Sequence, residues 1–300
     1  MTPPTTGDRT KVVATEPIVD SGGSTTSRVR RRRILKMLLA SSVAAVGWSV
    51  GFEPLWIQVT HQTLSVPNLP EQWVGKRMVH ISDLHVGRTN QSHLLRAMHR
   101  VNSLSPDILV ITGDFVDRHY PVDDRLDAVL QVLEPAKVAS LACLGNHDFG
   151  EHWSDLSIAD DITSVVERHN IRVLRNEIEN IDGIEFSGLE DYWSPLFAPQ
   201  PILNLASART ASICLCHNPD AYDAGDWSLF QGVILSGHTH GGQCKPPFLP
   251  PPFTPVRNRL YTSGFMDLKD GHQMYISRGV GYSLRARFNC RPEITVFELT

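Results

Sequence analysis

Five short apolar runs along the chain each stop at a histidine, an aspartate or an asparagine. Met78, Val79, His80 and Ile81 lead into Ser82-Asp83-Leu84-His85, and Ile108, Leu109, Val110 and Ile111 lead into Thr112-Gly113-Asp114. Val138 and then Leu141, Ala142, Cys143 and Leu144 precede Gly145-Asn146-His147-Asp148. A fourth run, 213–216, stops at His217-Asn218-Pro219, and a fifth, 233–235, at Ser236-Gly237-His238-Thr239-His240-Gly241-Gly242. Runs this short and β-compatible predict buried strands, and in open α/β sheets ligands collect at the carboxyl ends of the strands. Between the runs, Leu94, Leu95, Met98, Val101 and Leu104 have helical spacing, as do Leu126, Val129, Leu130 and Leu133. Ile162, Val165 and Val166 predict a third helix, closed by Asn170. After Val173 the pattern shifts to short strands over 184–187, 213–216, 233–235, 274–277 and 294–299. Such a β-rich second half predicts two packed sheets flanked by helices rather than one doubly wound sheet.

The ends of the pattern differ from its middle. Residues 1–27 are rich in Thr, Ser, Pro and Gly and predict a disordered tail. Arg28 and Arg30 to Arg33 then precede an uncharged apolar stretch, 37–52, in the manner of a targeting segment. Arg31-Arg32-Arg33-Ile34-Leu35-Lys36 resembles the twin-arginine export motif, which implies a twin-arginine translocase as partner. Sixteen apolar helical residues reach roughly 24 Å, so Ile34, Leu35 and a snorkelling Lys36 are needed to approach a core of ~30 Å. No A-x-A cleavage site follows, which leaves a cleaved signal and a retained anchor both open. Ile57, Val59, Leu64 and Val66 alternate as an edge strand would, until Pro67 and Pro70 break the run. The expected organisation is a tail (1–27), a signal or anchor (28–52), a linker with an edge strand (53–76) and one catalytic domain (77–300). Six prolines within 246–255 exclude a helix or interior strand. That stiff loop follows His238 and His240 closely, so it either walls one side of a site or is an inert excursion.

Composition changes the picture in two ways. Three hundred residues, 41% of them apolar, support a sizeable core. Residues 1–36 carry eight Lys or Arg against three Asp or Glu, which leaves 20 against 29, a net −9, for residues 37–300. A body this acidic lacks the basic surface of a general nucleic-acid binder and suits carboxylates gathered around cations. The five cysteines are odd in number, and Cys143, Cys214 and Cys216 lie in apolar runs, so they read as buried small hydrophobes.

The groups at the ends of the runs are Asp83, His85, Asp114, Asn146, His217, His238 and His240. Imidazoles, carboxylates and one amide oxygen without a thiolate suit Mn, Fe or Zn. Seven ligands exceed what one ion with an open position needs and fit two ions that share a carboxylate. Asp83-x-His85 and His238-x-His240 are spaced i, i+2, which in extended backbone projects both side chains to one side.

Asp83-Leu84-His85, Gly113-Asp114, Gly145-Asn146-His147-Asp148, His217 and Gly237-His238-Thr239-His240, in this order, resemble the five motifs of the calcineurin-like metallophosphoesterases. His240-Gly241-Gly242-Gln243 and Tyr275-Ile276-Ser277-Arg278-Gly279-Val280-Gly281 are similar to a bacterial subgroup of membrane-associated or exported phosphodiesterases and the related lipid A precursor pyrophosphatases. The resemblance implies a four-layer α/β/β/α sandwich and two divalent ions. It places Asp83, His85 and His240 on the first ion, Asn146, His217 and His238 on the second, and Asp114 on both. It further implies a bridging hydroxide as nucleophile, with His147 protonating the leaving group and Asp148 orienting His147. Gly113, Gly145 and Gly237 are expected to let the backbone pass close to the metals.

His61, His80, His93, His99, His119, His152, His169 and His272 match no motif and read as surface or satisfied core residues, with His152 the first to check. Arg88 and Asn90, just beyond the Asp83 motif, are candidates to reach a phosphate, with a plain exposed Arg as the default reading, and Tyr192-Trp193 is either substrate-facing or a core anchor. Three functions remain in view: a dimetal phosphodiesterase with a phosphoester substrate, lipid-linked ones included; a UDP-2,3-diacylglucosamine pyrophosphohydrolase; and a non-catalytic metal-binding scaffold, against which the complete ligand set argues. Because the arginines precede the apolar stretch, the positive-inside bias places the catalytic body on the outer side of the cytoplasmic membrane.

Overall fold

The computed structural model describes residues 24–119, 124–205 and 209–300. The tail expected over 1–27 therefore lies outside the described residues, except that Ser24–Gly47 (α1) is already helical from Ser24. The chain divides into two units after Ala45. The helical path over Val29–Leu55 is long and apolar enough to cross a membrane, at about 40 Å for 1.5 Å per residue.

The second unit holds two six-stranded sheets. In the first, Gln58–Leu64 (β1), Arg77–Ile81 (β2), Ile108–Thr112 (β3), Ala139–Cys143 (β4), Arg172–Val173 (β5) and Glu293–Leu299 (β12) are ordered β1-β12-β2-β3-β4-β5. The second comprises Glu177–Ile181 (β6), Ile184–Gly188 (β7), Ala211–Leu215 (β8), Val233–Ser236 (β9), Gly264–Asp267 (β10) and Gln273–Ile276 (β11), ordered β10-β11-β9-β8-β7-β6. Strands β2 to β5 are mutually parallel, as are β7, β8, β9 and β11, so the carboxyl ends in each set share one edge. This is why the site-forming runs are apolar without alternation: strands buried on both faces need no polar side.

Alternate residues of each strand face different layers. Met78, Ile108, Val110, Leu141 and Cys143 meet Phe186, Ile213, Leu215, Val233 and Leu235 between the sheets. Val79, Ile81, Leu109, Ile111 and Ala142 face Gln91–Ser103 (α2), Asp124–Leu130 (α3) and Leu156–Arg168 (α4). Side chains of Asn90 and Asp155 cap the first turns of α2 and α4. The outer layer of the second sheet is thin, with the short helix Pro199–Leu203 (α5), Tyr222, Trp227 and Phe230 over Cys214, Ile234 and Ile276. The order helices, sheet, sheet, thin helical layer is the four-layer α/β/β/α arrangement.

Two expectations need adjustment. Residues 53–76 are no linker: β1 pairs in parallel with β12 along its whole length, Trp73 is buried, and Val66 and Gly75 donate backbone bonds to Thr300 and Leu299. The strand is nevertheless at the sheet edge, as its loose alternation predicts. Strands β5, β6 and β10 carry no apolar run; β6 and β10 lie at the edge of the second sheet and β5 at that of the first, where a strand can stay polar or very short.

Candidate metal centre

The carboxyl ends of β2, β3 and β4 face those of β8 and β9 across the junction of the sheets. Asp83 and His85 follow β2, Asp114 follows β3, Asn146 to Asp148 follow β4, His217 follows β8, and His238 and His240 follow β9. Backbone bonds tie these ends together: the Asp83 amide donates to Gly113, that of His85 to Asp114, and that of Gly237 to His217.

All seven end groups are buried and converge. Asp83, His85 and His240 form one cluster of potential ligand atoms, and Asp114, His217 and His238 form another. Asp114 connects the two, its Oδ2 being 3.5 Å from His85 Nε2 and 3.3 Å from His217 Nε2. The Nε2 atoms of His85 and His240 are 3.0 Å apart, the separation of two nitrogens about 2.1 Å from one ion at a right angle. Asn146 Oδ1 and His217 Nε2 are buried without hydrogen-bond partners, an arrangement that is costly unless something else satisfies them. His217 Nδ1 donates to the carbonyl of Thr112 at 2.6 Å, which points Nε2 at Asp114. His238 Nε2 donates to the carbonyl of Pro255 at 3.1 Å, so its Nδ1 carries the lone pair. These orphaned and pre-oriented donors fit a pair of divalent cations.

The electrostatics fit as well. Burial pushes Asp83 up to about 7, against the pull of His217. Burial raises Asp114 too, but His217, His147 and His85 outweigh it and hold that carboxyl well below its usual range. Burial and then the charge of His217 bring His238 down to about 3. Divalent cations favour the deprotonated form of every such ligand.

The backbone departs from the extended expectation. Asp83, His85, Asp114, His238 and His240 all have positive φ, between 47° and 68°. The i, i+2 pairs thus converge by left-handed turns rather than by strand alternation, a conformation that costs of order 1–3 kcal/mol per residue. Close approach by glycine makes room for it: a Cβ on Gly145 would strike the Asp114 carboxylate, and one on Gly237 would strike Ser82 and Asp83.

His147 sits beside the centre, its ring edge-on to His85 at 4.6 Å. Its Nδ1 accepts from the Arg118 amide at 3.2 Å, so the neutral ring carries its proton on Nε2. The expected partner is otherwise engaged: Asp148 Oδ1 accepts from the amides of Phe115 and Val116, and Oδ2 from that of Gly145. The reason is the 3-10 turn Asn146–Phe149, which sends successive side chains in different directions. The carboxylates beside His147 are Asp114, whose Oδ1 accepts from the His147 amide at 2.9 Å, and Asp117, with Oδ2 at 3.9 Å from Nδ1.

A cavity of about 470 Å³ opens over this centre, lined by Arg88, Arg118, His119, Trp153, Trp193, Phe253 and Pro255, with the Arg118 guanidinium over the Trp153 ring at 5.9 Å. Trp153 and Trp193 stack at 4.5 Å, and Trp193 meets His238 edge-on at 4.7 Å. Trp193 therefore faces the cavity while Tyr192 packs on Phe197, and the proline-rich loop does wall the site. His152 is exposed and outside the cavity, Asn90 is spent as a helix cap, and His80, His93 and His272 are hydrogen-bonded core residues. Asp117, Arg118 and Trp153 went unnoticed in the sequence, and His119, read there as a surface or core residue, lines the cavity; their one signal was closeness to Asp114 and His147. All five cysteines are thiols outside any disulfide, and Cys143, Cys214 and Cys216 are buried.

Two packed sheets with a polar, cation-fitting centre at their shared carboxyl edge define a metallophosphoesterase. The family model for the calcineurin-like phosphoesterases matches residues 76–242, and the chain belongs to that family. Among its relatives, the metallophosphoesterase YkuE of Bacillus subtilis is 32% identical, over 91% of this chain and 98% of its own. The phosphodiesterase YaeI of Escherichia coli is 30% identical, over 90% and 99%. The UDP-2,3-diacylglucosamine pyrophosphatase LpxG of Chlamydia trachomatis is 29% identical, over 87% and 94%.

Asp148→Ala strips three buried amides of their acceptor, and at about 1–3 kcal/mol for each unsatisfied group the variant should lose several kcal/mol of unfolding free energy in urea. Unchanged stability with a shifted pH profile of hydrolysis would restore Asp148 as the partner of His147.

Proposed function

We propose that this chain is a phosphodiesterase that works with two divalent ions and is held at a membrane by its apolar helix. The observation that carries the reading is the buried Asp114 carboxylate, flanked by one imidazole from each ligand cluster. Asp83, His85 and His240 would hold one ion, Asn146, His217 and His238 the other, and Asp114 both. The ions would be Mn, Fe or Zn, given a nitrogen and oxygen donor set without thiolate. Such ions polarise phosphoryl oxygens and supply an ionised water near neutral pH.

The chain's own residues do the rest. Arg118 and His119, with Arg88 beyond, face the cavity and favour an anionic phosphoryl group. His147, with its proton on Nε2 and its basicity lowered by burial against the pull of Asp114 and Asp117, is set to stabilise the phosphoryl oxygen and protonate the departing oxygen. The stacked indoles of Trp153 and Trp193 line the same cavity and leave an apolar place for the second substituent that a diester has and a monoester lacks. The twin-arginine-like stretch Arg31-Arg32-Arg33-Ile34-Leu35-Lys36 supports export by that translocase, and the arginines before the apolar run support a catalytic body on the outer side. The likeness to LpxG supports a second reading, a nucleotide-linked lipid pyrophosphatase, which requires the body to face the cytoplasm.

Asp114→Ala should bind neither ion firmly and lose hydrolysis together with metal, as chelators should cause in the wild type; elemental analysis that finds two ions in the variant removes the bridge. His147→Gln, with metal content retained, should slow alkyl diesters far more than p-nitrophenyl diesters, because a phenolate leaves without protonation. Equal losses on both would reduce His147 to a phosphate-positioning group. Protease added to spheroplasts should digest residues 53–300; protection until lysis would favour the pyrophosphatase.

A further inference from the structure

We propose that the loop 246–255, with Leu284 beside it, is a second membrane contact that lays the mouth of the cavity against the lipid bilayer. The proposal rests on the membrane part of the reading above and not on its chemistry. Phe248 is 105% exposed, Phe253 71%, Leu249 60% and Leu284 60%, a concentration of large apolar side chains that a water-facing surface does not keep without use. The loop is built to hold them out. Six of its ten residues are proline, and Phe248 has a φ of 66°, a conformation unfavourable for an aromatic residue unless its surroundings impose it.

Three observations select a bilayer as the occupant. First, the loop runs between the chain's apolar entry and its site. Pro247 lines a depression with Trp48 and Trp56, where the Val29–Leu55 stretch ends, while Phe253 and Pro255 line the catalytic cavity. Second, that entry is itself of interfacial character: Trp48, Phe52 and Trp56 are exposed and mutually packed, with Trp48 on Phe52 at 5.7 Å and on Trp56 at 5.9 Å, and such indoles concentrate at the headgroup level. Third, in a body of net negative charge, residues 243–263 carry Lys245, Arg257 and Arg259 and no carboxylate, the charge that anionic headgroups attract. A single β-bridge between Cys244 and Phe288 joins the start of the loop to the segment that carries Leu284 and Arg285. The cavity's apolar wall is then continuous with the acyl region, and the substrate class that follows is a phosphoester whose non-reacting substituent is embedded in lipid.

The test uses the full chain in vesicles of phosphatidylcholine and phosphatidylglycerol, with a nitroxide on Leu249→Cys in a Cys244→Ser background. The remaining cysteines are buried, and burial raises their thiols above the ordinary range, so they resist labelling. A label on Val138→Cys, exposed at the amino end of β4 away from the site, is the reference. The ratio of oxygen to nickel-chelate collisions at 249 should exceed that at 138 by about ten-fold in floated protein, as for an apolar group below the headgroups. Equal ratios in protein that floats would overturn the second contact and leave the anchor standing. Failure to float would overturn both, and leaves the phosphodiesterase chemistry to its own tests. Shielding from both reagents, with dipolar broadening that disappears on dilution with unlabelled protein, would assign the patch to a second copy of the chain and overturn the bilayer.

Discussion

A carboxylate buried between imidazoles sets the terms for the rest of the molecule. Asp114 is held ionised where burial alone would neutralise it, because His85, His147 and His217 approach it from three other segments. A lone ionised group in such a place is severely penalised, so the surrounding elements must arrive with donors already aimed. They can do so because both sheets present parallel strand ends at the same edge, and because hydrogen bonds cross from one sheet to the other, His217 Nδ1 to the Thr112 carbonyl being the shortest of those described at the site. Remove the convergence of the sheets and the ligand set becomes a scatter of ordinary turn residues.

That dependence runs back into the backbone. Five ligand-bearing residues occupy left-handed turns, and two glycines pack against carboxylates where any side chain would collide. Asp148 belongs to this supporting layer: its two oxygens gather amides from the turns after β3 and β4 and so fix where Asp114 and His147 stand. The carboxylate next to His147 in the chain is here a brace for the loop, and the carboxylates next to its ring in space come from Asp114 and Asp117.

Much of this was legible in the sequence, for identifiable reasons. The central strands read as unbroken apolar runs because they are covered on both faces, and the residues that end them are polar because the strands end at the site. The edge strands β5, β6 and β10 left no such trace: Glu177–Ile181 has Glu177, Glu179 and Asn180 in water, so nothing in its pattern separates it from a loop. The seven candidate ligands were recognisable by type and order, whereas the left-handed geometry of five of them was not, since residue spacing says where a side chain lies along the chain and not which way a turn directs it. Asp117, Arg118 and Trp153 were missed for the same reason. They follow site residues by a few positions, and their place depends on a turn that only Asp148 and the neighbouring strand ends define.

The two halves of the site make opposite demands on one sheet edge. Its floor needs charges withdrawn from water, and β2, β3, β4, β8 and β9 meet that need with short, stiff connections. Its rim must admit a phosphoester, and the rim is built from longer segments: the turn with Arg118 and His119, the stacked indoles of Trp153 and Trp193, and the proline-rich loop after His240. The loop joins the two, since the carbonyl of Pro255 orients His238 in the floor while Phe253 lines the opening. Anything that seats the loop therefore bears on the ring that would hold an ion. A bilayer contact at Phe248 and Leu249 would act on the same short stretch of chain, and so would couple the presentation of a lipid-borne ester to the orientation of the centre that cleaves it.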